Sequence, residues 1–171
     1  SYYCIWHTKN GIMKKVISES ALQAKIIQLA NAINQTELNN KVPVVFVGIL
    51  NGAFMFFSDL VKHIKVPIEI DFVRVKSYDG QNRKDIKFTK DLETDINGKN
   101  VYLVDDIIDS GHTMKFLIDH FKERGAINVT PVATIFKKNL VIQEALCILQ
   151  YTQDSPWFVG YGMDNEDGTC R

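Results

Sequence analysis

The run Val101-Tyr102-Leu103-Val104-Asp105-Asp106-Ile107-Ile108-Asp109-Ser110-Gly111-His112-Thr113-Met114 constrains this chain more than any other segment. Val101 to Val104 is apolar and reads as a buried parallel strand that ends at a polar edge, the acidic pair Asp105-Asp106. Asp109-Ser110-Gly111-His112-Thr113 then supplies a small-residue turn, with a hydroxyl where a helix N-cap should fall. An amphipathic run from Met114 to Arg124 follows. Strand, acidic edge, tight turn and helix start form one candidate site.

The two halves of that segment suit different chemical partners. Backbone N–H groups and the positive end of a helix dipole, with the Ser110 and Thr113 hydroxyls beside them, suit a phosphate. Asp105 and Asp106 would repel the same phosphate unless they face sugar hydroxyls or a divalent cation. A phosphorylated sugar carried on magnesium satisfies both. An acidic pair closing a strand is by itself ordinary surface solvation; Asp109 and the small-residue turn shift the balance toward function.

An apolar run, an acidic pair, an apolar pair, Asp, Thr or Ser, Gly, any residue and Thr make up the phosphoribosyl pyrophosphate (PRPP) motif of the type I phosphoribosyltransferases. The segment resembles that motif at every position. Within the group, the chain is most similar to the hypoxanthine (hypoxanthine-guanine) phosphoribosyltransferases, on further segments. Ile49-Leu50-Asn51-Gly52-Ala53 places Gly between a buried strand and a helix, where backbone amides can approach an anion, although a plain strand-to-helix turn looks the same. It resembles the family's pyrophosphate loop, which implies a role for Leu50, Asn51 and Gly52 and makes the Leu50–Asn51 bond the candidate for a non-proline cis peptide. Many relatives carry Lys where this chain has Asn51, a departure that leaves backbone contacts to bind the anion.

Lys76, Ser77 and Tyr78 precede a polar loop, and the Ser-Tyr pair resembles the start of the family's catalytic lid, which shields the reacting ribose from water. Without the resemblance, an exposed hairpin is the plainer reading. Lys138 follows the strand Val132 to Phe136; in the family a lysine here donates to the purine 6-oxo group, and counting from Ala133-Thr134 assigns that role to Lys138 over Lys137. A cationic donor there selects 6-oxopurines and rejects adenine. In Trp157-Phe158-Val159-Gly160-Tyr161-Gly162-Met163-Asp164, the resemblance makes Trp157 the aromatic that stacks on the purine, worth about 1–3 kcal/mol. It also has Phe158 present its carbonyl to the base, Ile107 line the purine side and Asp164 hold a second magnesium. The Phe158 and Tyr161 side chains read as core. The resemblance runs from Ser18 to Asp164 and then stops; Arg171 is near, but out of register with, a family arginine that contacts pyrophosphate.

The fold expected is α/β: a single domain over residues 1–171, with a mostly parallel twisted sheet flanked by helices, the type I phosphoribosyltransferase fold, and a small hood or flap at 157–171. Helical spacing covers Ser18 to Asn34, a buried strand covers Pro43 to Leu50, and the face Phe54, Phe57, Leu60, Val61, Ile64 marks a helix. Pro67 to Lys76 and Asn128 to Phe136 read as strands, 77–90 as the lid, and 1–13 as an aperiodic arm tied down by other contacts, a partner subunit among the candidates. In such sheets ligands bind beyond the carboxyl ends of the strands. A chain of 171 residues, 46% hydrophobic, suits one sizeable core. Its 20 basic and 20 acidic side chains cancel, which argues against nucleic acid or an anionic membrane as partner. Cys4, Cys147 and Cys170 form no disulfide or zinc pattern, and with no spanning or signal segment the expected location is cytoplasmic.

The activity implied is magnesium-dependent transfer of the ribose-phosphate of PRPP to hypoxanthine or guanine. In it Asp109 is the general acid/base, Asp105 and Asp106 hold the ribose hydroxyls and metal, and Ser110, Gly111, His112 and Thr113 bind the 5′-phosphate. The resemblance suggests a homodimer or homotetramer with small-molecule substrates. An alternative is a PRPP- or nucleotide-sensing RNA-binding regulator on the same fold, with a local patch at Lys84, Lys87 and Lys90. A phosphoacceptor signalling domain ranks lower, because its acidic pair usually follows the first strand.

Overall fold

The computed structural model describes residues 3–78, 85–152 and 157–163. In chain order they form β1 (Ile5–Lys9), β2 (Ile12–Ile17), α1 (Glu19–Glu37), β3 (Val44–Ile49), α2 (Phe54–Val61), β4 (Glu69–Ser77), β5 (Ile86–Lys90), β6 (Asn100–Ile108), α3 (His112–Glu123), β7 (Asn128–Lys137), β8 (Leu146–Tyr151) and β9 (Trp157–Val159). A 6-stranded sheet has the order β5-β4-β3-β6-β7-β8. Its pairings are parallel except for the antiparallel β4–β5 edge. β3 is buried at every position, as a strand covered on both faces must be.

The covering layers follow from helical spacing. Leu22, Ile26, Ala30 and Ile33 of α1 and Phe56, Phe57 and Leu60 of α2 pack on one face of the sheet, against Phe46, Tyr102 and Val104. Met114, Leu117 and Phe121 of α3 pack on the other, against Val45, Leu103 and Phe136. Ser18 caps α1, its Oγ accepting from Ala21 N at 3.3 Å, a contact worth about 1 kcal/mol. At the other end Glu37 is buried although a carboxylate opposes the helix dipole there. Tyr102 Oη and Asn40 Nδ2 donate to its oxygens at 2.7 and 2.6 Å. Burial, and then the Glu37 carboxylate, push the Tyr102 phenol up.

The crossover from β3 through α2 steps to β4 on one side, and that from β6 through α3 steps to β7 on the other. Right-handed crossovers in opposite directions put their helices on opposite faces and open a crevice between β3 and β6 at the carboxyl edge. The smaller, 3-stranded sheet has the order β2-β1-β9. Asn10 and Gly11 join β1 to β2 with φ of 53° and 74°, the left-handed pair of a tight hairpin turn. Residues 5–17 are therefore a hairpin, where the sequence reading had an aperiodic arm to Met13. What holds it is the chain's own hood strand, with Trp6 opposite Val159, His7 opposite Phe158 and Thr8 opposite Trp157. No helix among the described residues is long and apolar enough to cross a membrane.

Candidate active site

Because β4, β3, β6 and β7 are parallel neighbours, the segments that follow them leave one edge of the sheet. β6 does not stop at Val104 as expected; it runs on through Asp105 and Asp106 to Ile108. Val104 and Ile107 both pack on the α1–α2 side, so strict alternation breaks at the acidic pair. Asp105 Oδ1 accepts from Asp106 N at 2.8 Å and Asp106 Oδ1 from Ile107 N at 2.7 Å. Burial, and next the Asp106 charge, hold the Asp105 carboxyl well above the usual carboxylate range.

The 50–52 loop lies directly against this pair. A Cβ on Gly52 would sit 2.3 Å from Asp106 Oδ2 and 2.7 Å from its Cγ, so only glycine lets the loop backbone come this close. The Leu50–Asn51 bond is cis, as the resemblance implies. Leu50 N donates to Val73 O at 2.8 Å, and Phe54 N closes the turn on Asn51 O at 3.1 Å. The loop thus joins the end of β3 to the start of α2.

Beyond β6, Gly111 is the N-cap of α3 at φ 84°, and no side chain caps the helix. The sequence reading put a hydroxyl there; instead Ser110 Oγ makes only a long contact, 3.5 Å, with His112 N. Leaving the helix start uncapped keeps its first-turn N–H groups, those of His112 and Thr113 included, for an anion. Asn139 organises the turn from outside, donating from Nδ2 to the carbonyls of Asp109 (2.9 Å) and Lys137 (3.0 Å). Its Oδ1 accepts from Val141 and Ile142 N–H groups at 2.8 and 2.6 Å. Asn139 carried no motif signal, because it acts through main-chain carbonyls.

Lys137 Nζ is 3.2 Å from Asp109 Oδ2. Lys138, one residue past the end of β7, donates its N–H to Tyr151 O at 2.8 Å and lines a concavity with Phe136, Gln143, Glu144 and Gln150.

At the β4 end, Lys76 faces Lys87 across the hairpin, and both ammonium groups stand over the exposed Tyr78 ring, at 5.7 and 5.5 Å. Ser77 ends β4, and Tyr78 N bonds Asp85 O at 3.2 Å. In the hood, Trp157 is 49% exposed whereas Phe158 is buried, its ring 5.2 Å from Tyr151. Phe158 and Tyr161 side chains are core, as read from sequence. Asp164 and Arg171 lie outside the described residues.

A phosphoribosyl transferase domain model matches residues 16–164. The chain belongs to the phosphoribosyltransferase family. It is 35% identical over 160 residues to the hypoxanthine-guanine phosphoribosyltransferase of Streptococcus pyogenes, covering 91% of this chain and 87% of that one. The enzyme of that name from Streptococcus agalactiae is 37% identical over 161 residues, with the same shares covered. A crystal structure of a Bacillus anthracis hypoxanthine-guanine phosphoribosyltransferase superposes with a TM-score of 0.80 at 36% identity, covering 89% of each chain. The phosphoribosyltransferase match spans the 50–52 loop, β6, the α3 turn and the hood strand.

Among the described residues no group of 3 or more His, Cys, Asp or Glu side chains could hold a metal ion on its own. The adjacent carboxylates of Asp105 and Asp106 are hard oxygen donors and fit magnesium, which takes one or two carboxylates and draws its other ligands from water and substrate.

Proposed function

We infer that the chain transfers the ribose-phosphate group of PRPP to N9 of hypoxanthine or guanine, giving IMP or GMP and pyrophosphate in purine salvage. The observation that carries this reading is the meeting, at one switch point, of an uncapped helix start, an acidic pair and a glycine loop packed on that pair. The α3 turn (Ser110, Gly111, His112, Thr113) binds the 5′-phosphate, while Asp105 and Asp106 take the ribose hydroxyls and magnesium. Asp164 is proposed for a second magnesium. Magnesium, when bound, offsets the charge of the departing pyrophosphate. Leu50, Asn51 and Gly52 receive that pyrophosphate through backbone groups, and Lys76, Ser77 and Tyr78 begin a lid over 77–90. Trp157, Phe158 and Ile107 hold the purine, and Asp109 exchanges the proton at N7.

The 6-oxo donor is proposed as Lys137 in place of Lys138, on the strength of its contact with Asp109. A spectrophotometric assay of hypoxanthine, guanine, xanthine and adenine with PRPP tests both levels. Turnover of hypoxanthine or guanine, lost with EDTA and absent with adenine, supports the reaction; no 6-oxopurine turnover refutes it. Lys137→Ala should raise the KM for hypoxanthine about 10- to 100-fold, the loss of a charged hydrogen bond, and Lys138→Ala should leave it within about threefold. The reverse ranking returns the role to Lys138.

Asn139→Ala should raise the KM for PRPP about tenfold, the effect of one or two lost hydrogen bonds holding the phosphate turn. An unchanged value in steady-state kinetics would show the turn to be rigid without it.

We further propose that residues 1–171 act as one domain with its hood at 157–171, in the cytoplasm, as a homodimer or homotetramer. The free thiols of Cys4 and Cys147 support a reducing compartment. Exposed Tyr3 and Phe54 share a concave surface with Met55, which supports self-association. Light scattering on the purified protein measures the assembly.

A further inference from the structure

Tyr161 occupies the hood turn between Gly160 and Gly162, and the backbone at Gly160, Tyr161 and Gly162 is left-handed, with φ of 96°, 52° and 83°. A bulky side chain adopts that conformation only where its surroundings impose it. Here the ring is 1% exposed, and its hydroxyl donates to Asp59 Oδ2 at 2.5 Å and approaches Met55 O at 3.4 Å. Gln23 Nε2 donates to the same Asp59 oxygen at 3.0 Å, and Lys62 Nζ stands 3.4 Å from Oδ1. Asp59 therefore gathers α1, α2 and the hood turn at one carboxylate.

What lies at the two ends of this contact gives it meaning. On one side Tyr161 follows β9, the strand that carries Trp157 and Phe158. On the other, Asp59 belongs to α2, whose start is the 50–53 loop: Ala53 N bonds Ile49 O at 3.3 Å, and Phe57 N bonds Ala53 O at 2.8 Å. Gly162 lies so close to α2 that a Cβ there would be 2.8 Å from Phe54 Cε1 and 3.2 Å from Met55 Cγ. A Cβ on Gly160 would likewise lie 2.2 Å from the O of Cys4, the residue before β1. The hood turn is wedged between the hairpin and α2.

We propose that Asp59 and Tyr161 are a positioning pair that ties the purine-stacking strand to the helix bearing the pyrophosphate loop. The inference rests on the transferase reading above. Neither side chain touches the reacting atoms; the pair sets the distance between the two substrate-holding elements, and a displacement of that kind weakens binding at both.

The test compares wild type, Tyr161→Phe, Asp59→Ala, the double variant and Asp59→Asn, which keeps an acceptor oxygen for the phenol. Tyr102→Phe is the control, since it removes another buried phenol–carboxylate bond, to Glu37, at the amino end of the parallel strands. Tyr161→Phe and Asp59→Ala should each raise the KM for hypoxanthine, and for pyrophosphate in the reverse reaction, about tenfold with kcat within about threefold. The double variant should be no worse than either single, as expected for partners in one contact, and Asp59→Asn should recover most of the loss. Tyr102→Phe should lower the melting temperature and leave both KM values in place. KM values that stay at the wild-type level in Tyr161→Phe, single effects that multiply in the double variant, or an equal KM rise in Tyr102→Phe would each overturn the pair's role. Wild type that does not turn over hypoxanthine with PRPP would overturn the transferase reading, and the coupling with it. Should Asp59→Ala not fold, Tyr161→Phe and Asp59→Asn still decide the question.

Discussion

Asp109→Asn lowers kcat by about 10²- to 10⁴-fold and leaves the KM for PRPP within about threefold, the pattern of a lost proton transfer at the purine. The argument rests on how the residue is held. Its carbonyl accepts from Asn139 Nδ2 at 2.9 Å, and its Oδ2 is 3.2 Å from Lys137 Nζ. Asparagine has the same shape and keeps the main-chain contact, so the phosphate turn should stay in place. What it loses is a basic oxygen that can take or return a proton at N7. Steady-state kinetics with PRPP varied separately from hypoxanthine measures both quantities. An equal fall in turnover and PRPP affinity would show Asp109 to be a structural anchor of the turn.

Gly52→Ala should raise the KM for PRPP about a hundredfold, since displacements on the order of 1 Å in a substrate-holding element have effects of that size. The new methyl group would overlap Asp106, 2.3 Å from Oδ2, and Asp106 is not free to swing, because its other oxygen accepts from Ile107 N at 2.7 Å. Either the loop backs away from the acidic pair or the pair is displaced. Binding of PRPP by calorimetry, with circular dichroism to confirm the fold, reads the outcome; wild-type affinity would mean that the loop and the pair do not share a ligand.

The centre of the site was legible because its signals are local. Val101 to Thr113 spells strand, acid pair, turn and helix in one stretch, and each part carries its own pattern. What escaped was non-local or a matter of parity. The hairpin at 5–17 announced itself only by Asn10-Gly11, the strongest short hairpin signal, but its strands alternate poorly, because β2 is exposed on both faces from Ile12 through Lys15. The choice between Lys137 and Lys138 turned on a single residue, and in a strand one residue reverses the face. Val132 and Ile135 pack on the same side of the sheet, so alternation is interrupted near Ala133-Thr134 and periodicity alone does not decide between the two lysines. β8 and the Asn139 contacts depend on a neighbour that periodicity does not name. Asp59 carried no motif signal, because its partner Tyr161 is 102 residues away.

The hood ladder also bears on how the chain matures. Thr8 and Trp157, joined across β1 and β9, are 149 residues apart, whereas the acidic strand β6 and the start of α3 are consecutive in the chain. Closing a long loop is slower than closing a short one, so on the ribosome the β6–α3 turn can take shape well before the β1–β9 ladder exists. A nascent chain stalled short of β9 would carry the β6–α3 turn while its N-terminal hairpin still lacked the third strand of its sheet.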